Sequence, residues 1–446
     1  MFKRILIANR GEIAVRIIRA CQELGIETVA VYSSADADAL HVQLADIAVC
    51  IGPPAAVDSY LNMQNILSAT ILTGATAIHP GYGLLSENPK FARICSQCNI
   101  TFIGPHYESM ELMGNKLEAR RTMISAGVPV VPGSRERIET LEQAIEDAEN
   151  AGYPVLVKAA SGGGGRGIRQ VNNRQELENA IETAKAEAKV CFGDDDIYIE
   201  KMITDCRHIE VQVISDSFEN HVHLYERDCS MQMRRQKLIE ESPCSFIDSQ
   251  LRERICQSGL NAAKAVNYLG AGTIEFLLDK NNNYYFMEMN TRLQVEHTVT
   301  EMVTGVDIVK EQILIAQGNK LSFNQEDIHV NGCAIECRVN AVDVDKNFMA
   351  SCGTVELVHV PSGPGVRFDS MLYNGCNIVP HYDSMIGKII VHEKDRMRAI
   401  LRMKRALNEL VINGICINTD FQQGLISSNE FISGNFNITT VETNLL

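Results

Sequence analysis

Short apolar strands alternate with amphipathic helices over residues 3–110, and this alternation strongly limits the possible fold. A strand at Ile5–Ala8 precedes a helix at Glu12–Leu24, and Gly25 follows where a helix end favours glycine. Later strands are expected at Thr28–Tyr32, Ala75–Ile78 and Ile100–Ile103. The pattern predicts a doubly wound α/β domain. The first turn, Asn9–Glu12, lacks the G-x-G-x-x-G spacing, so a dinucleotide site is not predicted there.

Length and charge limit the class of protein. A chain of 446 residues needs two to four cores, and 45% hydrophobic with 22% charged residues is typical of globular proteins. The net charge of −15 argues against general binding to nucleic acid or anionic membrane. The N-terminal apolar run is too short for a signal peptide, and no run reaches the roughly 20 residues of a membrane span.

The 14 cysteines are scattered along the chain. Cys95 and Cys98 are spaced as C-x-x-C, but a zinc site would need a second such pair. We therefore expect reduced thiols and a cytoplasmic location.

A second unit follows at residues 130–204. A helix is expected near 139–151, a strand at Pro154–Lys158 and a further helix near 174–189. From about 205 the chain reads as alternating strands, and Arg207–Ile214 places polar and apolar residues on opposite faces. Near the end, an amphipathic helix at Arg396–Leu410 is expected to bury one face. Its expected inward residues are Met397, Ile400, Leu401, Leu407 and Leu410.

The glycine-rich segment Ser161–Gly167 follows the strand that ends at Lys158. A strand, not a helix, is expected after it, which favours a mobile hairpin over phosphates rather than a Rossmann turn. Glycines allow backbone N–H groups to approach an anion, and Lys158 and Arg166 supply positive charge. The alternative is a flexible surface loop.

Glu275 and Glu288 lie on two expected strands joined by the turn sequence Asp279–Asn283. Pairing around that turn places the two carboxylates opposite each other, where they repel unless neutralised. Asn290 adds a neutral oxygen on the same face. Such hard oxygen ligands suit Mg²⁺ or Mn²⁺. The alternative is a solvated sheet edge with acidic side chains.

Polar residues continue at every second position after Asn290. An extended chain would direct Arg292, Gln294 and Glu296 the same way as Glu288. This row is costly to bury without ligands, although a surface strand could carry the same residues by accident. Several other residues, taken singly, do not indicate a site. Alone, each of the four basic residues Lys116, Lys201, Lys237 and Arg338 would be interpreted as a solvated surface charge. His208 would be interpreted as a strand histidine with satisfied hydrogen bonds, and Tyr82 as an aromatic residue in a turn.

Taken together, several phrases resemble the biotin carboxylase subunits of bacterial acetyl-CoA carboxylases, which are ATP-grasp enzymes. The resemblance runs from end to end of the chain. The matching phrases are Ile7–Ala14, His79–Gly83, Lys158 with its glycine loop, Glu226–Gln232, Gly270–Thr273, Glu288–Glu296 and Tyr382–Lys388.

The resemblance implies an α/β and α+β architecture of three domains. Residues 1–115 would form the N-terminal pre-ATP-grasp domain, and 116–330 the ATP-grasp domain with a mobile lid at about 130–204. Residues 331–446 would form a mixed α+β C-terminal domain that completes the ATP-grasp.

The same resemblance implies the site residues. Glu275, Glu288 and Asn290 would bind a pair of metal ions, and Glu296 would deprotonate bicarbonate. Bicarbonate would lie among Lys237, Arg292, Gln294 and the backbone of Val295. Arg338 would stabilise the biotin enolate, with Tyr82 beside the biotin. ATP would be held by Lys116, Lys158, Gly164, Gly165, Glu200, Lys201, Ile203, His208, Gln232 and Arg235, together with Glu275 and Glu288.

The implied activity is ATP-dependent carboxylation of biotin by bicarbonate through carboxyphosphate, the first half-reaction of acetyl-CoA carboxylase in fatty acid synthesis. No Ala-Met-Lys-Met attachment motif occurs, so biotin is expected on a separate carrier protein, with carboxyltransferase subunits as further partners and a homodimer as the assembly. The alternatives are a subunit of another acyl-CoA or pyruvate carboxylase, another ATP-grasp ligase, or a non-catalytic nucleotide-binding or scaffold protein.

The chain departs from the family pattern at a few positions. Met233 and Arg235 stand where the family usually has arginine and histidine, so a role for Arg235 at the ribose is doubtful. Thr298 replaces a proline, which is expected to loosen its turn. Val342 and Ala350–Gly353 also differ, near Arg338 in the sequence.

Overall fold

The N-terminal unit is built on a five-stranded parallel sheet. The structure, a computed structural model, describes residues 1–160, 168–192 and 195–444. The strand order β3-β2-β1-β4-β5 has its first strand in the centre, as a doubly wound fold requires. The strands are β1 (Arg4–Ile7), β2 (Glu27–Ser33), β3 (Ile47–Gly52), β4 (Ala77–His79) and β5 (Thr101–Phe102).

Six helices accompany and follow this sheet. They are α1 (Gly11–Glu23), α2 (Leu40–Leu44), α3 (Met63–Thr73), α4 (Pro89–Gln97), α5 (Tyr107–Gly114) and α6 (Lys116–Ser125). The side chains of Asn62, Asn88 and Asn115 cap the starts of α3, α4 and α6 by accepting backbone N–H bonds. Gly74 ends α3 in the left-handed conformation that favours glycine. The predicted α/β pattern is confirmed.

A small antiparallel sheet with its own core forms the next unit. Its order is β7-β6-β8, with β6 at Val155–Ala159, β7 at Ile168–Val171 and β8 at Ile197–Lys201. Helices α7 (Leu141–Ala151) and α8 (Arg174–Phe192) cover one side. The buried side chains of this unit form a separate hydrophobic cluster that includes Val155, Val157, Ile197 and Ile199. The expected unit at about 130–204 therefore contains an independent core.

An eight-stranded antiparallel sheet forms the centre of the molecule, in the order β13-β12-β9-β10-β11-β14-β21-β19. Its strands are β9 (Arg207–Ser215), β10 (His221–Met233), β11 (Gln236–Ser242), β12 (Gly270–Leu278), β13 (Tyr284–Asn290), β14 (Cys333–Asn340), β19 (Val366–Ser370) and β21 (Met385–Glu393). Strands from both sides of residue 330 share this sheet. The C-terminal part of the chain thus completes the sheet to which the preceding strands belong.

Three helices pack against the central sheet. They are α9 (Ser249–Ala265), α10 (His297–Thr304) and α11 (Ile308–Ala316). On β9, Ile209, Val211 and Val213 enter the hydrophobic core beneath α9, as the alternation predicted. The opposite, polar face of β9 is also buried, and its residues include His208, Glu210 and Gln212. Buried polar groups need partners, so this face is where a site is expected.

The C-terminal part adds short strands and a helical layer. The strands are β15 (Val342–Asp343), β16 (Met349–Ala350), β17 (Gly353–Thr354), β18 (Leu357–His359), β20 (Asn377–Ile378) and β22 (Val411–Asn413). The helices are α12 (Arg396–Glu409), α13 (Thr419–Ser427), α14 (Asn429–Ser433) and α15 (Thr440–Asn444). Helix α12 buries Ile400 and Leu407 as predicted, but Met397 and Leu401 are exposed. Ala399 and Met403 take the inward positions instead, because the buried stripe is rotated relative to the predicted one.

Candidate active site

Four neighbouring strands carry one transverse row of charged side chains. Glu288 on β13 pairs with Glu275 on β12, Glu275 pairs with Glu210 on β9, and Glu210 pairs with Arg227 on β10. The predicted opposition of Glu275 and Glu288 is therefore confirmed. Arg227 is fully buried, and its Nε lies 2.5 Å from Glu210 Oε1. Three carboxylates in adjacent register require cations, and Arg227 supplies only one positive charge.

Lys237 supplies the next positive charge. Its Nζ lies 2.6 Å from Glu210, 3.0 Å from Glu275 and 2.6 Å from Glu296. Burial alone would lower the pKa of Lys237, but the three carboxylates raise it well above its usual value. The pKa of Glu275 is held below its usual range for the reverse reason: burial opposes ionisation, but Lys237 and His208 outweigh it. The lysine is thus charged and links three strands to the start of α10.

Glu296 is buried between two cations. Besides Lys237, Arg338 Nη2 lies 3.0 Å from Glu296 Oε2, and Arg338 Nε lies 2.6 Å from Glu240 Oε1. Burial raises the pKa of Glu296, but Lys237, Arg338 and Arg227 together bring it well below its usual range. At neutral pH this side chain is a carboxylate, the form that a proton acceptor requires.

The chain does not stay extended as far as Glu296. Strand β13 ends at Asn290, residues 295 and 296 form a turn, and Glu296 is the residue that precedes α10. The prediction of one strand running to Glu296 was wrong, because the helix start bends the backbone after the strand. The side chains nevertheless converge: Gln294 Nε2 donates to Glu275 at 2.9 Å, and its oxygen accepts from Arg227 at 2.7 Å.

Arg292 is held at the margin of this cluster. Its Nε donates to Glu87 Oε2 at 2.8 Å and its Nη2 donates to Asn290 Oδ1 at 2.9 Å. Burial works against its charge, but Glu87 raises the pKa of Arg292 overall. Glu87 belongs to the N-terminal unit, so this ion pair joins that unit to the central sheet.

The predicted metal ligands lie together at the edge strand. Glu288 is exposed to the cleft, whereas Glu275 and Asn290 are buried, with Asn290 Nδ2 donating to Glu275 at 2.8 Å. Desolvation, and then repulsion from Glu275, raise the pKa of Glu288. A cation beside Glu288 would relieve that repulsion, and oxygen ligands suit Mg²⁺, so the donor set fits a divalent ion.

The predicted phosphate-binding lysines lie where the small three-stranded sheet meets α6. Lys158 Nζ lies 2.5 Å from Glu200 Oε2, and Lys116 N donates to Ala160 O at 3.2 Å. Desolvation and the nearby Lys158 charge lower the pKa of Lys116, and Glu288 and Glu200 oppose this effect. The lysines and the acidic row therefore face one cleft. Gly164 and Gly165 lie outside the described residues.

The other predicted nucleotide residues follow the same cleft toward β10 and the connection from β8 to β9. Lys201 Nζ donates to Gly152 O at 2.6 Å, and Ile203 O accepts from Cys206 Sγ at 3.6 Å. His208 Nε2 lies 3.0 Å from Glu275 Oε2, and its Nδ1 lies 2.7 Å from Gln232 Nε2. Arg235 is exposed in the hairpin between β10 and β11, with positive φ, away from the buried polar face.

Tyr82 lies within electrostatic range of Arg338. Its hydroxyl donates to Glu12 on α1, and the Arg338 charge acts on its phenol. Burial and the Glu12 carboxylate raise the pKa of Tyr82 well above its usual value, so the phenol keeps its proton. An aromatic ring near the half-buried Arg338 forms a wall for a neutral planar group.

Sequence reasoning missed several members of this network. Glu210 was placed on the correct face without a role, and Arg227 was only part of a matching phrase. Glu87, Glu240 and Lys388 were not singled out, although each is a charged residue in or beside a matching or apolar segment. Their partners are distant in the chain, and only the fold shows them.

Models of known families match most of the chain. The N-terminal domain of biotin carboxylase matches residues 1–110, the ATP-binding domain of the carbamoyl-phosphate synthase L chain matches 115–324, and the biotin carboxylase C-terminal domain matches 336–443. The chain is 56% identical over 444 residues to biotin carboxylase 1 of Bacillus subtilis (strain 168), covering 99% of each. It is 53% identical over 441 residues to biotin carboxylase of Nostoc sp. (strain PCC 7120 / SAG 25.82 / UTEX 2576), covering 99% of each.

Solved structures of biotin carboxylases also superpose closely on this chain. The biotin carboxylase–beta-gamma-ATP complex from Campylobacter jejuni superposes with a TM-score of 0.95 at 49% identity, covering 99% of both chains. The biotin carboxylase domain dimer of Hydrogenobacter thermophilus 2-oxoglutarate carboxylase, with MgADP, ADP and bicarbonate, gives 0.93 at 48% identity, covering 99% of this chain and 97% of that one.

The fold and the row of acids facing a basic cleft define an ATP-grasp ligase. Within that class, the chain belongs to the biotin carboxylase family. It catalyses the ATP-dependent carboxylation of biotin. Within the described residues, every helix is too short or too polar to cross a bilayer.

Proposed function

We propose that the polar face of the central sheet divides the reaction into three adjoining parts: nucleotide, bicarbonate and biotin. The observation that carries this proposal is the position of Glu296, an ionised buried carboxylate held between Lys237 and Arg338 at the end of the acidic row. On one side lie the carboxylates that suit a metal–nucleotide complex, and on the other lie Tyr82 and Arg338.

The nucleotide part uses the cleft between the small sheet and the acidic row. Lys116 and Lys158 neutralise phosphate charge, while Glu200, Lys201, Ile203, His208 and Gln232 hold the nucleoside side. Glu275, Glu288 and Asn290 would hold a pair of Mg²⁺ or Mn²⁺ ions, an assignment that their set of oxygen donors supports. When bound, the metal would neutralise charge on the phosphate oxygens of the nucleotide. Arg235 is exposed in the hairpin between β10 and β11, and this position gives its assignment to the nucleotide little support.

The bicarbonate part lies between Arg292, Gln294, Lys237 and the backbone of Val295. Glu296 takes the proton of bicarbonate, whose oxygen then attacks the γ-phosphorus while the bond to the β-phosphate oxygen breaks. The products of this step are carboxyphosphate and ADP. Because Lys237 and Arg338 lower the proton affinity of Glu296, they must turn toward the substrate anion as the proton moves. That movement couples the arrival of the anion to the activation of the base.

The biotin part lies beside Tyr82 and Arg338. Carboxyphosphate breaks down to CO₂ and phosphate next to the ureido nitrogen of biotin. The released phosphate takes the proton of this nitrogen, which forms the new N–C bond with CO₂. The Arg338 guanidinium stabilises the enolate-like ureido oxygen. Closure of the small sheet over the cleft excludes water from the labile intermediate.

We propose that the substrate is biotin on a separate carrier protein and that the reaction is the first half-reaction of acetyl-CoA carboxylase in the cytoplasm. The names and full-length match of the bacterial relatives support this assignment, with carboxyltransferase subunits as the following partners. A homodimer is supported by the dimer of the Hydrogenobacter thermophilus relative. The free thiols of the described cysteines agree with a reducing compartment.

A second candidate is the same half-reaction in a different carboxylase. The structures of a 2-oxoglutarate carboxylase domain and of the biotin carboxylase subunit of a pyruvate carboxylase are both 48% identical to this chain. These identities are close to the 49% of the Campylobacter jejuni biotin carboxylase, so sequence identity does not distinguish the two candidates. The two candidates share the half-reaction and differ in the final acceptor of the carboxyl group.

Release of ADP tests the proposal. We expect ADP release to depend on bicarbonate and to increase with free biotin. ATP hydrolysis that ignores both compounds would contradict the carboxylase reaction. Pairing the chain with the carrier and carboxyltransferase of an acetyl-CoA carboxylase, and separately with those of a pyruvate carboxylase, distinguishes the two candidates by which acceptor becomes carboxylated.

A further inference from the structure

Two successive backbone carbonyls at the bicarbonate turn point into the protein, and each is held by a buried side chain. His297 Nδ1 lies 2.8 Å from Gln294 O, and Lys388 Nζ donates to Val295 O. Both side chains are completely buried. Neither His297 nor Lys388 is among the residues assigned above to substrate, metal or proton transfer.

The direction of these carbonyls determines the direction of the following N–H groups. In a planar trans peptide, the C=O of one residue and the N–H of the next point opposite ways. Holding Gln294 O and Val295 O in the interior therefore turns Val295 N–H and Glu296 N–H outward. Within the described chain neither N–H has a protein acceptor, and the Val295 side chain is only half-buried. Two adjacent outward N–H groups form a small anion-binding concavity.

The His297 ring is suited to donate one fixed hydrogen bond to Gln294 O. Because Gln294 O can only accept, Nδ1 carries the proton. Burial, and then the charges of Lys388, Arg16 and Arg367, lower the pKa of His297 far below its usual value. The ring is neutral, and its single N–H is committed to the turn. Lys388 thus contributes twice, through its own bond and through its charge on the histidine.

Lys388 is itself held in place by acids from three elements. Its Nζ lies 3.4 Å from Glu12 on α1, and Glu336 on β14 and Asp369 on β19 also act on it. On β21 it is the direct cross-strand partner of Arg338. A completely buried lysine is costly unless its charge is compensated, and here the acids on three elements raise the pKa of Lys388 despite its burial. Its position is therefore determined by the fold, not by the substrate.

We propose that His297 and Lys388 are positioning residues that aim the Val295 and Glu296 N–H groups at the bicarbonate anion. The inference rests on the proposed bicarbonate site and extends it: two buried donors that never touch the substrate give the backbone its affinity for the anion. Their loss weakens bicarbonate binding and leaves the nucleotide cleft unchanged.

A pair of amide substitutions tests the histidine. In His297→Asn the amide nitrogen lies near the former Nδ1 and still reaches Gln294 O, whereas in His297→Gln it lies near the former Nε2 and does not. We expect His297→Gln to raise the KM for bicarbonate by about tenfold, since misplaced contacts cost that much or more. The KM for ATP stays unchanged, and His297→Asn restores most of the bicarbonate affinity. Equal bicarbonate KM values for the two variants would overturn the inference.

A matched control separates positioning from general loosening. His41 is also completely buried and neutral, and its Nε2 lies 3.3 Å from Val31 O, far from the turn. His41→Asn should lower the thermal midpoint without changing the KM for bicarbonate. An increase equal to that of His297→Gln would mean that loss of rigidity alone explains the effect, and the inference would fail.

Lys388→Met tests the second positioning residue independently. We expect its KM for bicarbonate to rise as much as that of His297→Gln. Should this variant not fold, the comparison of the two His297 variants decides the matter. Arg292→Met, measured alongside, tests the underlying site. A raised bicarbonate KM in Arg292→Met but not in His297→Gln rejects only the positioning role. An unchanged KM in both rejects the bicarbonate site as well.

Discussion

Lys237 Nζ lies 2.6 Å from Glu296 Oε1 across 59 residues of sequence. This contact joins strand β11 to the first turn of α10 and places a cation on the carboxylate that we assign as the base. Because the same ammonium also contacts Glu210 and Glu275, the state of the base is connected to the acidic row that faces the nucleotide. A change in charge at Glu296 therefore alters the electrostatic environment of the acidic row, and a change in the row alters that of Glu296.

Removing the base should abolish turnover without emptying the nucleotide cleft. In Glu296→Ala we expect kcat to fall by about 10²-fold or more, the usual contribution of a general base. ATP affinity, measured by calorimetry, should stay nearly unchanged because Glu275 and Glu288 remain. A large loss of ATP affinity would instead place Glu296 at the metal.

The edge carboxylate should control the response to metal. Desolvation and Glu275 raise the pKa of Glu288, so its negative form, which a metal needs, increases as the pH rises. In Glu288→Gln we expect the Mg²⁺ concentration for half-maximal ADP release to rise by about tenfold, because one charged ligand is lost. At limiting Mg²⁺, ADP release by the unsubstituted protein should rise with pH, and the variant should lose part of that rise. An unchanged Mg²⁺ requirement would remove Glu288 from the metal site.

The ion pair between the N-terminal unit and the central sheet should orient Arg292. Glu87→Gln removes the charge that holds the guanidinium, so the KM for bicarbonate should rise by about threefold to tenfold. Glu118→Gln, which weakens the exposed pair with Arg121, serves as a control and should have no effect. If both variants behave alike, the Glu87 contact has no role in orienting Arg292.

The buried carboxyl of Glu336 should make stability depend on pH. Burial, opposed by Lys388, raises its pKa from 4.5 to about 8. A native state that binds the proton more tightly loses stability as the pH rises from the unfolded pKa to the folded one. The thermal midpoint should therefore fall between about pH 5 and about pH 9, and it should fall less in Glu336→Gln. An equal decline in both proteins would contradict the assignment.

Thr298, the residue that stands where the family has proline, should stabilise the same carboxyl. Its hydroxyl donates to Glu336 Oε2, and this bond lowers the pKa that burial raises. Thr298→Val should cost about 1 kcal/mol of stability, since a buried acceptor loses its donor. Thr304→Val, on the same helix, loses a bond to Thr300 O and a longer one from Val306 N, neither of which involves a buried carboxyl, and should cost less. A larger loss for Thr304→Val would show that the Glu336 bond is unimportant.

Some of the site could be inferred from local pattern alone. The turn sequence between β12 and β13 correctly placed Glu275 opposite Glu288, because a short hairpin leaves few possible registers. The extended row beyond Asn290 could not be inferred correctly, since residues 291–296 between the strand and the helix contain no glycine or proline to mark the change. Thr298 lies inside the first turn of α10, where its hydroxyl donates to Glu336.

The sequence by itself therefore determines local structure. Its pattern predicts which segments form strands, which strand faces are polar, and which residues have the chemistry to bind phosphate, metal or an anion. The tertiary structure alone decides the charge state of those residues. Glu296 is ionised because Lys237 and Arg338 come from strands 59 and 42 residues away, and the turn beside it is aimed by Lys388 from another strand still. Electrostatic energy depends on distances in space and on burial, and neither can be read from spacing along the sequence. The row of alternate polar residues in the sequence identified the candidate site residues. The packing of the strands determines whether each of these residues is charged.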